Sequence, residues 1–70
     1  MNRFGGKLRA LRKQNGLSQR RLAEMLEVHH SYVGQLELSQ IIPNVAMVIK
    51  IADIFEVAAD PLIRDELELE

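Results

Sequence analysis

Between Leu17 and Leu38 (LSQRRLAEMLEVHHSYVGQLEL) the chain carries two short apolar stripes at helical spacing, with three residues between them. Ser18 is placed to cap the first helix, because its hydroxyl can accept an orphan amide of the opening turn. Leu17 before that cap and Leu22 within the helix have the spacing of a hydrophobic staple. Leu22, Ala23 and Leu26 share one face, with Met25 at its edge. Val28 and Val33 repeat the staple around His29, and Val33 with Leu36 makes the apolar face of a second helix. Glu27 to His29 suffice to turn the chain and build nothing else. Such a pair buries only its inner stripe, so the outer face of the second helix is left to meet a partner.

The flanking segments supply what the pair packs against. Phe4, Leu8 and Leu11 form the core stripe of a first helix of about ten residues, with Arg3, Lys7, Arg9 and Lys13 on its outside. Gly5 and Gly6 weaken its first turn by up to about 1 kcal/mol each relative to Ala. Asn15-Gly16 ends it, Gly16 suiting the left-handed C′ position. Ser39 to Pro43 form a loop, and Asn44 is placed to cap a fourth helix running to about Phe55. Asp60-Pro61 has the form of an N-cap with proline at N1, opening a short fifth helix through Leu62 and Ile63. The expectation is an all-α fold, a compact five-helix domain over residues 1–64 with a frayed acidic tail, DELELE, at 65–70.

Seventy residues lie near the lower limit for a self-supporting core, and with no cysteine there is no disulfide or thiolate–zinc staple. Helix packing must therefore hold the fold. A 47% hydrophobic content and two prolines are those of a folded chain. No apolar run approaches membrane-span length, and the N-terminus lacks a signal-peptide core. The expected location is cytoplasmic, with no membrane partner.

The net charge of −1 says little, but its distribution says more. Residues 1–23 hold seven Lys or Arg and no acid; residues 24–70 hold two bases and all ten acids. Such a chain is either a solvated basic helix with a solubilising acidic tail or a dipolar domain whose N-terminal third faces an anion. Arg20 and Arg21 bear on the choice. Cations in the first turn of a helix oppose its macrodipole by about 0.3–1 kcal/mol each. Arg21 also occupies the position of a capping-box Glu or Gln. Both choices make physical sense if phosphates lie in front of them.

The runs LRxLRxxxGLSQxxLAxxL (8–26), VxxSYVxQLE (28–37), Pro43-Asn44-Val45, Lys50-Ile51-Ala52 and Glu56-Val57 resemble the lambda-repressor-like helix-turn-helix family of Cro/C1 type. The resemblance covers residues 4 to about 63. It implies sequence-specific binding of double-stranded DNA by a small homodimeric transcriptional regulator of bacterial or phage type, acting as a repressor. The second helix of the motif, about 30–38, then lies in the major groove of a pseudo-palindromic operator. By the same resemblance Gln19 matches a phosphate-contacting position, and His30, Ser31 and Gln35 match base-reading positions with Tyr32 nearby. Gln35 can pair bidentately with adenine, and Ser31 can donate to or accept from several base edges. His29 and His30 stand at the N-terminal end of that helix, where an approaching phosphate would favour their cationic forms. Arg12 and Glu37 match an internal ion pair that orients the recognition helix.

Some positions depart from the family pattern. Glu27 stands where a turn glycine is usual, and His29 where Ser or Thr usually caps. Residues 30–38 hold no Lys or Arg, and the following loop is apolar at Ile41-Ile42. Helix 4 is apolar nearly all round, more than one core stripe requires. With the family's habit of pairing through this region, these features suggest a homodimer through Ile41, Ile42, Ile54, Val57 and Leu62, extended by Leu67. His29-His30 is no metal site, since adjacent helical residues point about 100° apart and no further ligand completes a set. No catalytic constellation is present, so no enzyme, cofactor or small-molecule ligand is expected. The competing reading is an antitoxin- or coactivator-like protein-interaction module with little DNA binding, favoured by the missing basic loop.

Overall fold

A computed structural model describes residues 3–64, which form five α-helices: α1 (Phe4–Gln14), α2 (Gln19–Leu26), α3 (His30–Glu37), α4 (Val45–Phe55) and α5 (Asp60–Ile63). The expectations for residues 65–70, including Leu67, lie outside the described residues. α2 packs chiefly on α3, α1 lies across α3, and α4 backs α2 while α5 closes against α1 and α4. The buried stripes are those the periodicity predicts: Phe4, Leu8 and Leu11 of α1, Leu22, Ala23 and Leu26 of α2, Val33 and Leu36 of α3. Val48, Ile51 and Ala52 of α4 complete them, whereas Phe55 is only half-buried.

Helix entry and exit follow from local chemistry. Ser18 Oγ accepts from the Arg21 amide at 3.0 Å, and Asn44 Oδ1 from the Met47 amide at 2.8 Å. α1 leaves through a Schellman motif: the Leu17 amide donates to the Arg12 carbonyl and the Gly16 amide to that of Lys13, with Gly16 at φ 68°. α2, α3 and α4 end with the same long-range amide bond (Val28 to Ala23, Gln40 to Gln35, Val57 to Ala52), but their left-handed residues are Glu27, Ser39 and Glu56. Each of the three carries a Cβ where glycine would avoid strain of about 1–2 kcal/mol. The Glu27 turn has outside support, because Lys50 Nζ of α4 donates to the Leu26 carbonyl at 3.0 Å and lies 3.5 Å from Glu27 Oε1.

Three expectations are corrected, two of them by tertiary packing. Lys7 is buried and not on the outside of α1; its ammonium donates to the carbonyls of Pro61 and, at 2.7 Å, Arg64. It thereby ties α1 to the C-terminal end of α5, where a cation is favoured. Asp60 is not the cap of α5 but its first residue, with Ala59 before it and no side-chain capping bond; its carboxylate instead lies 3.8 Å from Arg64. Leu62, assigned above to a dimer interface, is fully buried in the protomer's own core. Lys7 and Leu62 lie on inward stripes, and only the docking of α5 on α1 makes that visible.

Gly5 is more than a weak helical position. A Cβ there would stand 2.4 Å from the Glu37 carbonyl oxygen and 2.7 Å from that of Leu36. The missing side chain lets the first turn of α1 press against the C-terminal backbone of α3.

Candidate nucleic-acid interface

A polar network ties α3 to α1 and to the start of α2. Arg12 Nε donates to Glu37 Oε2 at 2.6 Å and Arg12 Nη2 to Glu37 Oε1 at 3.1 Å, a bidentate pair whose side chains are 11% and 3% exposed. Arg12 Nη1 donates to the Leu17 carbonyl at 2.9 Å. Gln19 Nε2 adds a bond to Glu37 Oε1 at 3.1 Å. One carboxylate thus joins α1, the start of α2 and the end of α3. The Glu37 hydrogen bond raises the Arg12 pKa above its ordinary value, burial opposes the shift, and the Glu37 charge adds to it. Arg12 is cationic throughout the accessible pH range. Gln19, matched above to a phosphate contact, is therefore half engaged inside the protein while its residue remains exposed.

With Val33 and Leu36 buried, the opposite side of α3 presents Ser31, Gln35 and Leu38 at i, i+4 and i+7. Leu38, 70% exposed, is a member that the sequence analysis did not single out. Its spacing from Ser31 and Gln35 was the available signal, and an apolar group there suits a thymine methyl. Tyr32 lies on a different side, half-buried against the core, so its ring is anchored and not a free reader. Gly34, beside Gln19, joins Arg9, Arg12, Glu37 and Leu38 around a depression between α1 and the two helices of the motif. Arg9, placed above on the outside of the first helix, thus stands at the edge of the same face.

At the other end of α3, Arg20, Glu24, Val28, His29 and His30 line a second depression. The His30 pKa is lowered from its ordinary value by partial desolvation, then by Arg20, then by His29. The two imidazoles lie 4.3 Å apart between centroids. Arg21 turns to Glu24 on its own helix, with 3.2 Å between Nη1 and Oε1. This pair is exposed and contributes little to stability.

His29 caps α3 in the place of the usual Ser or Thr. Its backbone is extended (φ −69°, ψ 145°), and its Nδ1 accepts from the Ser31 amide at 3.2 Å. The imidazole takes the place of a Ser or Thr oxygen. Besides Leu38, the exposed large apolar side chains among the described residues are Ile42 (83%) in the loop before α4, Val45 (73%) and Ile49 (50%) at i and i+4 on α4, and Ile63 of α5. Ile41, Ile54 and Val57 are half-buried against the core. Nine residues separate Val45 from Ile54, half a turn beyond two full turns at 100° per residue, so the two lie on opposite edges of α4.

Among the described residues no group of His, Cys, Asp or Glu could hold a metal ion, and no helix is long and apolar enough to cross a membrane. The helix-turn-helix family model HTH_3 matches residues 8–62. The HTH-type transcriptional regulator RamB of Mycobacterium tuberculosis is 40% identical over 55 residues, covering 79% of this chain and 12% of RamB, so the chain spans a small part of that relative's length. Among solved structures, the restriction-modification controller protein C.AhdI of Aeromonas hydrophila is 34% identical with a TM-score of 0.79, covering 87% of this chain and 92% of that one. The P22 c2 repressor protein, solved in complex with a synthetic operator, is 25% identical with a TM-score of 0.83, over 90% of this chain and 96% of its own.

Proposed function

Because the chain belongs to the HTH_3 helix-turn-helix family, we propose that it is the DNA-binding part of a sequence-specific transcriptional regulator, a repressor that reads a pseudo-palindromic operator as a homodimer. It is not an enzyme. The observation that carries the reading is the outward stripe of α3, Ser31, Gln35 and Leu38, held on a helix whose angle is set by the Arg12–Glu37–Gln19 network. An α-helix presented in this way fits the major groove, with the first helix of the motif crossing the backbone. Arg20 and Arg9 flank the stripe and suit phosphate. The likeness to an operator-bound repressor supports the same reading.

Selection of binding sites from random duplex DNA tests the proposal and yields the operator. Gln35→Ala costs about 1–3 kcal/mol and relaxes preference at one base position per half-site. Arg20→Ala weakens all duplexes alike and reduces the salt slope by about one unit. Arg21→Ala does less, because Glu24 already engages that side chain. Unchanged affinity and site preference in Gln35→Ala would remove Gln35 from the readout. Failure of the wild type to select any sequence would favour the protein-interaction module.

The self-contact of the homodimer is assigned to Ile42, Val45 and Ile49, flanked by Ile41. Val45 and Ile49 share one edge of α4 and Ile42 is exposed in the loop that leads into it, and such exposed apolar groups are what an isologous contact requires. The earlier assignment also placed Ile54 and Val57 in this contact; Ile54 lies on the other edge of α4. Ile42→Lys and Ile49→Lys are expected to convert a sedimenting dimer into a monomer with unchanged helical content, since neither position is in the core. A wild-type protein that sediments as a monomer at high micromolar concentration would refute the assignment.

A further inference from the structure

The contacts of His29 determine more than the start of α3. A backbone amide can only donate, so the 3.2 Å bond from the Ser31 amide requires an unprotonated Nδ1 and places the imidazole proton on Nε2. Ser31 Oγ lies 2.8 Å from the same Nδ1. Two lone pairs at that distance repel, so the Ser31 hydroxyl hydrogen points at His29 and shares the single Nδ1 lone pair with the amide. The oxygen is then left with lone pairs alone to turn towards anything lying along the outward stripe of α3.

We propose that His29 is a positioning residue for base readout: by holding the Ser31 hydroxyl hydrogen, it makes Ser31 an acceptor only, selective for the amino-bearing edges of adenine (N6) or cytosine (N4). Guanine and thymine present acceptors at the corresponding places in the major groove and meet lone pair with lone pair. The inference rests on the DNA-binding reading above and deepens it, because a serine without such a partner tolerates either polarity. Protonation of Nδ1 reverses the arrangement. The imidazolium donates to Ser31 Oγ, the Ser31 amide loses its acceptor, and the hydroxyl hydrogen becomes available to guanine or thymine. The charged and titratable groups around this switch are Arg20 and Glu24 of α2, His30 of α3 and Glu27 in the turn.

The experiment has two arms. In the first, nitrogen-15 NMR of the DNA-free protein at pH 8 reads the His29 tautomer. A proton on Nε2 and a bare Nδ1 are expected; a proton on Nδ1 overturns the inference and leaves the DNA-binding reading standing. In the second, competition among duplexes that differ only at the operator position facing Ser31 is measured at about pH 8 and at about pH 5.5, the two ends of the range in which imidazoles change charge. The wild type is expected to prefer adenine or cytosine by about fivefold at the higher pH, the worth of one hydrogen bond, and to lose or invert that preference at the lower. His29→Asn is expected to keep the preference at both values, because its Oδ1 accepts from the same two donors and does not titrate. Ser31→Ala removes the preference at both. A guanine or thymine preference at pH 8, or a His29→Asn profile that titrates like the wild type, overturns the proposal. If the wild type selects no site at all, the DNA-binding reading falls and this inference with it.

Discussion

Arg12→Met is expected to destabilise the domain by about 3–5 kcal/mol, the cost of leaving one member of a buried ion pair uncompensated. For 70 residues, total stability is on the order of 4–10 kcal/mol, so the single substitution removes a third of it or more. The Glu37 carboxylate, 3% exposed, would keep Gln19 as its side-chain donor and lose both bonds of the guanidinium. The Leu17 carbonyl would also lose its partner. The double variant Arg12→Met, Glu37→Leu is expected to recover most of the loss, because neither charge is then buried alone. Its DNA affinity should stay low even so, since the tie that sets the angle of α3 is gone. Urea denaturation of the wild type and the two variants, with operator titration alongside, separates these effects. A loss below about 1 kcal/mol in the single variant would put the pair in the class of solvent-screened surface bridges.

Gly5→Ala and Gly6→Ala are expected to act in opposite directions, although the residues are neighbours in the same helical turn. At Gly5 the added methyl would lie 2.4 Å and 2.7 Å from two backbone carbonyl oxygens of α3, and neither can move aside as a side chain could. The expected cost is about 2–3 kcal/mol, the upper part of the range for overpacking. At Gly6 nothing lies within 4 Å. There the substitution removes only the conformational entropy of glycine, and a gain of up to about 1 kcal/mol is expected. Midpoints of urea unfolding decide the matter. Two shifts of the same sign would show that helix propensity, and not the crossing of α1 over α3, governs both positions.

Features that depend on residues within about one helical turn of one another were legible in the amino-acid order. The stripes of α1 to α3, the caps Ser18 and Asn44, the Gly16 exit and the three-residue turn are all of this kind, because apolar spacing and capping bonds act over three to five positions. The outward placement of Ser31 and Gln35 follows from the same period. The Arg12–Glu37 pair, 25 residues apart, came from family resemblance and not from spacing. How these stripes meet became visible only once the helices were packed. Lys7 stands 57 residues from the Arg64 carbonyl it binds, and Leu62 is core only because α5 docks on α1 and α4. Gly5 looked like a weak helical residue until α3 passed within reach of its Cα. The His29 cap lies within two residues and still could not be read from residue type, because rotamer and tautomer decide what Nδ1 accepts. Helix formation is settled by near neighbours along the chain, whereas the role of a buried lysine or a crossing glycine is settled by whichever backbone the fold brings against it.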